Sequence, residues 1–266
     1  VKKGVKTGVT TLVMAAHGAR SAEWDTVLAG LAARVRRLRP GVTAELAFLE
    51  LSDPPLERVL TEVTGPVVVV PLLLAGGYHV HIDLPEVIAR VRPDAVVAGP
   101  LGPHPLLTSV LTRRLATAGL RSGDAVILGA AGSSDPAALA AVRAAARLLS
   151  VRLSRPVTAA FASCGEPGIA HALDMVRRGP APRTVVASYL LAPGLFHTRL
   201  VESGADVVSA PLGVDDDLAE LVWHRYDTAI HGAIQGAIQG SSRSSRTIAA
   251  AASGREGSES APVKIS

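Results

Sequence analysis

The feature that most constrains the fold of this chain is an imperfect internal repeat laid over a regular alternation of apolar strands and amphipathic helices. In the first half TLVMAAHGAR, ELAFLELSDPP, VPLLLAGGYHV and AGPLGPHPLL follow one another; in the second AVILGAAGSS, VTAAFASCGEP, ASYLLAPGLFH and SAPLGVDDDL follow in the same order. The separations agree: His17 to Ala131 is 114 residues, Phe48 to Phe161 is 113, Leu73 to Leu190 is 117 and Pro100 to Pro211 is 111. A chain duplicated in this way builds two copies of one unit.

The unit itself reads as α/β. Thr11 to Ala16 is a strand, and from about Ser21 a helix carries Val27, Leu28, Leu31, Val35 and Leu38 at helical spacing. A strand near Val42 to Leu49 follows, then Asp53 as an N-cap with Pro54 at the first helical position and Leu56, Val59, Leu60 and Val63 inside. Val67 to Leu74 is a continuous apolar run, the pattern of a parallel strand buried on both faces. A helix after Asp83, a strand at Ala95 to Ala98 and a helix with Leu106, Leu107, Val110, Leu111 and Leu115 complete it. The pattern predicts two similar doubly wound parallel-sheet domains, residues 1–120 and 121–231, joined near Gly119 to Gly123 with a cleft between them. Residues 232–266 are rich in Gly, Ser and Ala without sustained periodicity, and are expected as a disordered tail.

Composition excludes several function classes. A net charge of +4 is spread among interleaved acids and bases, without the Lys/Arg block that a nucleic-acid partner calls for; it suits a small polyanionic ligand. A lone cysteine, Cys164, excludes a disulfide framework and a multi-cysteine metal site, and is read as an inert core thiol. No apolar run approaches the roughly 20 residues that span a membrane. The start, VKKGVKTGVTTLVMAAHGA, imitates a secretory signal, but its apolar stretch is short, contains Thr10 and Thr11, and reads as the first strand. A cytoplasmic protein is expected.

Chemistry concentrates where three strands of the first half end. His17, Glu50 and His79 close AAHGAR, AFLELSDPP and LLLAGGYHVHIDLP, and strand ends are where an open parallel sheet assembles its sites. A lone histidine after a strand is ordinarily a hydrogen-bonded turn residue, and Glu50 alone would be a rim carboxylate. Together they form a candidate divalent-metal site whose open positions favour catalysis or transfer over a structural role. Glu50 closes an apolar run and is expected to be partly buried. His81 is an alternative or supporting ligand, His104 a loop residue, and His171, His197, His224 and His231 surface positions or vestiges of the repeat. Opposite His17 and Glu50 the second half has Ala131 and Ser163, and opposite His79 it has Phe196 or His197, so one metal site per chain is expected, with the second half as a wall of the cleft. Neither a G-x-S-x-G elbow nor a G-x-x-x-x-G-K-[ST] loop occurs, and Ala16 stands where a histidine phosphatase would have arginine.

AAHGAR, AFLELSDPPLERVL, VVVVPLLLAGGYHVHIDLPEV and GPLGPHPLLTSVLTRRL resemble the signature of the sirohydrochlorin chelatases, a family that includes the cobalt chelatases of anaerobic cobalamin synthesis; Gly77, His79, Asp83 and Pro85 after a buried strand are the most diagnostic. The resemblance is strong from Thr11 to about Leu115 and weaker to about Thr228, as in the long, two-domain members. It implies a metal chelatase without organic cofactor, whose divalent metal is a substrate: iron(II), giving sirohaem, is favoured, with cobalt(II) insertion or a non-catalytic carrier as alternatives. It implies His17 and His79 as metal and proton-handling residues with Glu50 as acidic partner. The family commonly has Ser where this chain has Ala19, which touches a local hydrogen bond and not the ligands. The tetrapyrrole partner is edged with carboxylates, for which Arg20, Gly77 and the pair Arg113 and Arg114 are the substrate-binding candidates; the cluster Arg34, Arg36, Arg37 and Arg39 is read as a solvated face.

Overall fold

The computed structural model describes residues 10–76 and 82–253, with side chains as far as residue 236. It holds two four-stranded parallel sheets of the same topology, β2-β1-β3-β4 and β6-β5-β7-β8. The first is β1 (Thr11–Ala16), β2 (Ala44–Phe48), β3 (Val67–Pro71) and β4 (Val96–Val97); the second is β5 (Ala125–Ala130), β6 (Val157–Phe161), β7 (Thr184–Tyr189) and β8 (Val207–Val208). Every residue of β1 and β3 is buried, as the unbroken apolar runs require of strands covered on both faces.

Helices cover both faces of each sheet, the doubly wound arrangement the sequence predicts. On the outer face of the first sheet, α2 (Leu56–Glu62) and α3 (Leu84–Val91) pack Leu56, Leu60, Leu84 and Ile88 against Val13, Ala15, Val67 and Val69. On the outer face of the second, Leu173 of α6 (Ile169–Arg177) and Leu200 of α7 (Leu195–Val201) meet Ile127 and Val186. Between the sheets lies one continuous core filled by α1 (Ala22–Leu38), α4 (Pro105–Thr117), α5 (Pro136–Leu153) and α8 (Asp216–Ser253).

The path of α4 and α8 was not legible in the sequence. Although α4 ends the first repeat, it packs on α5 and β7 of the second; α8 ends the second repeat and packs on α1, β3 and β4 of the first. The two copies have exchanged their last helices. Trp223, 2% exposed, donates from Nε1 to the Val35 carbonyl at 3.0 Å, and Tyr226 donates its hydroxyl to Thr10 at 2.7 Å. Arg39 grips Asp227 through both terminal nitrogens at 2.7 and 2.6 Å, and Arg34 pairs with Asp216. In the other direction Arg114 of α4 donates to the Leu212 carbonyl at 2.6 Å, and Arg113 bridges Asp215 and Asp217 at 2.6 and 2.8 Å.

Two boundaries differ from expectation for local reasons. Helix α2 begins at Leu56 with Pro55 as N-cap, two residues later than Asp53 and Pro54 predict, because Pro54 and Pro55 extend beside β2: Phe48 donates to the Pro54 carbonyl at 2.9 Å. The helical backbone of α8 continues through residue 232 to Ser253, where a disordered tail is expected. Its Ala and Gln content supplies helix propensity without the periodicity that burial would impose. Among the described residues no helix is long and apolar enough to cross a membrane.

Candidate functional site

In each sheet the strand order reverses direction at the central pair, β1/β3 and β5/β7, and there the loops leaving the carboxyl ends part to open a crevice. His17 follows β1 directly. Its carbonyl accepts the Glu50 amide at 2.9 Å, and the Ala16 carbonyl accepts the Leu49 amide at 2.9 Å, so the first two strands' ends are tied together. The tie needs Gly18: its φ is 99°, and a methyl there would lie 1.7 Å from the Glu50 carbonyl oxygen. Ser52 completes the turn, accepting from the Ala19 amide at 3.2 Å and donating to Asp25 at 2.7 Å. This hydroxyl secures the backbone beside Ala19 without a serine at that position.

The second half reproduces the turn with the chemistry removed. Ser163 donates its amide to Ala131 at 2.9 Å and Ala162 donates to Ala130 at 2.8 Å. Gly132 has φ 103°, and a methyl on it would sit 2.2 Å from the Cys164 carbonyl oxygen. These bonds fix Ala131 as the counterpart of His17 and Ser163 as that of Glu50. β3 and β7 correspond as well, since Leu73 accepts from Leu101 at 2.8 Å and Leu190 from Leu212 at 2.9 Å; counted along the sequence, six residues beyond each are His79 and Phe196.

Between the two turns lies a cavity of about 480 Å³. The first half lines it with His17, Trp24 and the segment 72–76; the second with 130–134, Leu139, Tyr189 and Phe196, among others. A methyl on Gly194 would come within 4.0 Å of Trp24 Cδ1, so the halves approach closely at that edge. At the floor Tyr189, 2% exposed, donates its hydroxyl across the halves to the Leu74 carbonyl at 3.2 Å. Burial pushes this phenol well above its usual range, so it stays a neutral donor. Among the described residues the walls carry no formal charge other than what His17 can take up, and they are largely hydrocarbon. Such a space suits a large apolar body presented to one imidazole.

Of the residues expected at the site, His17 is half-buried in the cavity wall. Glu50 is exposed and does not line the cavity, contrary to the expected partial burial: it stands two residues past Phe48, the end of β2, in a bend where its neighbours no longer cover it. His79, His81 and Gly77 lie outside the described residues, and among the described ones no three His, Cys, Asp or Glu side chains converge to hold an ion. Arg20 is exposed on the HGAR turn. Arg113 and Arg114 do not line the cavity: their guanidinium groups bind Asp215, Asp217 and the Leu212 carbonyl, where they fasten α4 to the loop before α8 and to its first turn. Cys164, expected in the core, is exposed in the turn after β6. His104 is not merely a loop residue: its Nδ1 accepts the Leu106 amide at 3.2 Å as N-cap of α4. Trp24, Tyr189 and Phe196 were missed as wall residues. Their positions in the repeat were visible, but nothing in an aromatic side chain signals which cavity it faces.

Comparison with known proteins agrees with this architecture. A sirohydrochlorin ferrochelatase from Priestia megaterium is 24% identical over 234 residues, covering 80% of this chain and 88% of that protein. A sirohydrochlorin cobaltochelatase from Sulfolobus acidocaldarius is 27% identical over 109 residues, which is 39% of this chain but 87% of the relative. Among solved structures, SirB from Bacillus subtilis with Fe3+ superposes with a TM-score of 0.73 at 22% identity, covering 85% of this chain and 98% of that one, and so has the same fold. The CbiX family model matches residues 11–118 and again 125–229, one match for each repeat, and the chain therefore belongs to the CbiX family.

Proposed function

We propose that this protein is a sirohydrochlorin chelatase, a cytoplasmic enzyme that inserts a divalent metal into the tetrapyrrole. The observation that carries the reading is the cavity with His17 on one wall and a ligand-free duplicate of the same turn on the other. A planar macrocycle fits between hydrocarbon walls with one face toward the imidazole. Insertion exchanges the pyrrole N–H protons for the metal ion: the ring nitrogens lose protons, the ion sheds water, and metal–nitrogen bonds form. Neutral His17 accepts a pyrrole proton or ligates the incoming ion, and His79 is its partner in this reading, supported by the family resemblance. Glu50, exposed at the adjoining turn, takes the hydrated ion from solvent. The apolar walls keep water from competing for the ion once the ring is bound.

Iron(II) is the favoured substrate metal and cobalt(II) the second, since relatives carry both names and imidazole with carboxylate accepts either ion. The test is an anaerobic insertion assay in which absorption of sirohydrochlorin is followed with iron(II) or cobalt(II). Acceleration over buffer supports the enzyme. Binding of the ring with no acceleration for either ion would make the protein a carrier and overturn the proposal.

A further inference from the structure

The corner of the cleft that has lost its ligands in the second half has gained other groups. Phe196, on the first turn of α7, lines the cavity at the position that counts as equivalent to His79. One turn on, Arg199 sets its guanidinium carbon 5.8 Å from the centre of the Phe196 ring and an Nη1 3.3 Å from the Ala162 carbonyl. Ala162 precedes Ser163, whose amide is bonded to the cavity residue Ala131, so the guanidinium lies between the lining residue Phe196 and the turn bonded to Ala131. The Arg199 side chain is exposed, and among the described residues no carboxylate lies within salt-bridge distance of it. Arg34, Arg39 and Arg113, by contrast, all have acidic partners.

A cation on an aromatic ring that itself lines a cavity with no formally charged wall among the described residues other than what His17 can take up defines a ligand of particular chemistry. Its body is flat and apolar and its edge is anionic, because among the described residues the walls offer no counter-charge inside beyond His17. Arginine is the suitable cation: its planar fork matches a carboxylate through two parallel hydrogen bonds while one face rests on an aromatic ring. The contact with Phe196 limits the orientations the side chain must give up when it binds.

We propose that Arg199, held against Phe196, anchors a peripheral carboxylate of the tetrapyrrole while Phe196 packs on the macrocycle, so that the degenerate half positions the ring over His17. The inference rests on the chelatase reading and adds a substrate-orienting role for the half without metal ligands. Arg20, exposed on the opposing turn, offers a second cation from the first half.

The experiment is a titration of metal-free sirohydrochlorin onto the full chain, followed by absorption, beside steady-state insertion kinetics for the Arg199→Ala, Arg199→Gln, Arg199→Lys and Phe196→Leu variants. Arg199→Ala and Arg199→Gln are expected to weaken ring binding about tenfold and raise KM for the tetrapyrrole to match, with kcat and KM for the metal within about twofold of wild type. Their binding should also lose part of its salt dependence. Arg199→Lys should recover part of the affinity through its charge, and Phe196→Leu should weaken ring binding without altering the salt dependence. Binding within about twofold of wild type in both Arg199→Ala and Arg199→Gln overturns the inference, as does a loss confined to kcat. Failure of the wild-type chain to bind or metallate the ring would instead overturn the chelatase reading itself, so the two failures are distinct.

Discussion

The exchanged helices make Trp223 the side chain whose loss should be felt most. Its ring is 2% exposed between α1 and the first sheet, stacked edge-on against Tyr226 at 5.2 Å and capped by Arg39 at 4.6 Å. Its Nε1 satisfies the Val35 carbonyl, one of the last-turn carbonyls of α1 that lack a partner within the helix. Trp223→Ala removes a buried ring and leaves a cavity, a loss of about 3–5 kcal/mol. Trp223→Phe keeps most of the volume but strips the donor, a loss of about 1–2 kcal/mol. Against a total stability of about 5–15 kcal/mol the first is a large fraction. The assay is equilibrium urea unfolding followed by circular dichroism, with hydrogen exchange to locate the damage. Faster exchange should appear in β1 and β3, although Trp223 belongs by sequence to the second repeat. Trp223→Ala within about 1 kcal/mol of wild type, or damage confined to the second sheet, would refute the reasoning.

His17→Ala should abolish metal insertion while leaving the unfolding midpoint near wild type, as the imidazole lies on a turn at the cavity wall; full activity in a folded variant would remove His17 from the mechanism. Glu50→Gln should reduce activity less than His17→Ala, because Glu50 is exposed and off the cavity wall, and is checked in the same insertion assay. Burial, with Arg225 and His224 nearby, lowers the His104 pKa below its usual value, and its Nδ1 must be unprotonated to cap α4. The unfolded chain therefore takes up the proton first: stability should be full above about pH 6.5 and decline below it, toward the lowered folded pKa. Thermal melting between pH 8 and 5 should show that decline in wild type and a flatter profile in His104→Asn, which keeps a neutral cap. Removing residues after Gly232 should leave insertion unchanged, because among the described residues the α8 side chains that fill the core, Leu218 to Tyr226, precede the cut; loss of folding on that truncation would contradict it.

Much of the fold was legible because its signals are local. The β1 and β3 runs are apolar throughout since helices cover both faces, and the turn residues around Gly18 and Gly132 recur because the backbone at φ near 100° tolerates little else. What the sequence hides is partnership over long separations. The periodicity of α4 and α8 says that one face is buried but not on which sheet, and Arg113 looks free until the fold brings up Asp215, 102 residues away. The exposures of Glu50 and Cys164 are hidden from the sequence for one reason: each comes shortly after an apolar strand whose burial ends with the strand. His17 was legible as a candidate because the residue after a central parallel strand faces the crevice whatever the surrounding sequence.

The crossing of α4 and α8 also bears on how a duplicated chain can acquire two unlike halves. In a unit of this design the last helix belongs on the neighbouring sheet, so a half-length chain would leave core surface bare unless a second copy returned the exchange. Two identical copies meeting that way would be bound by symmetry to carry the same groups on both walls of the cleft. Joining them through residues 118–124 replaces an encounter between molecules with an intramolecular one at high effective concentration. It also frees each wall to change alone. His17 on one side and Ala131 with Phe196 on the other are a difference that a symmetric pair could not hold.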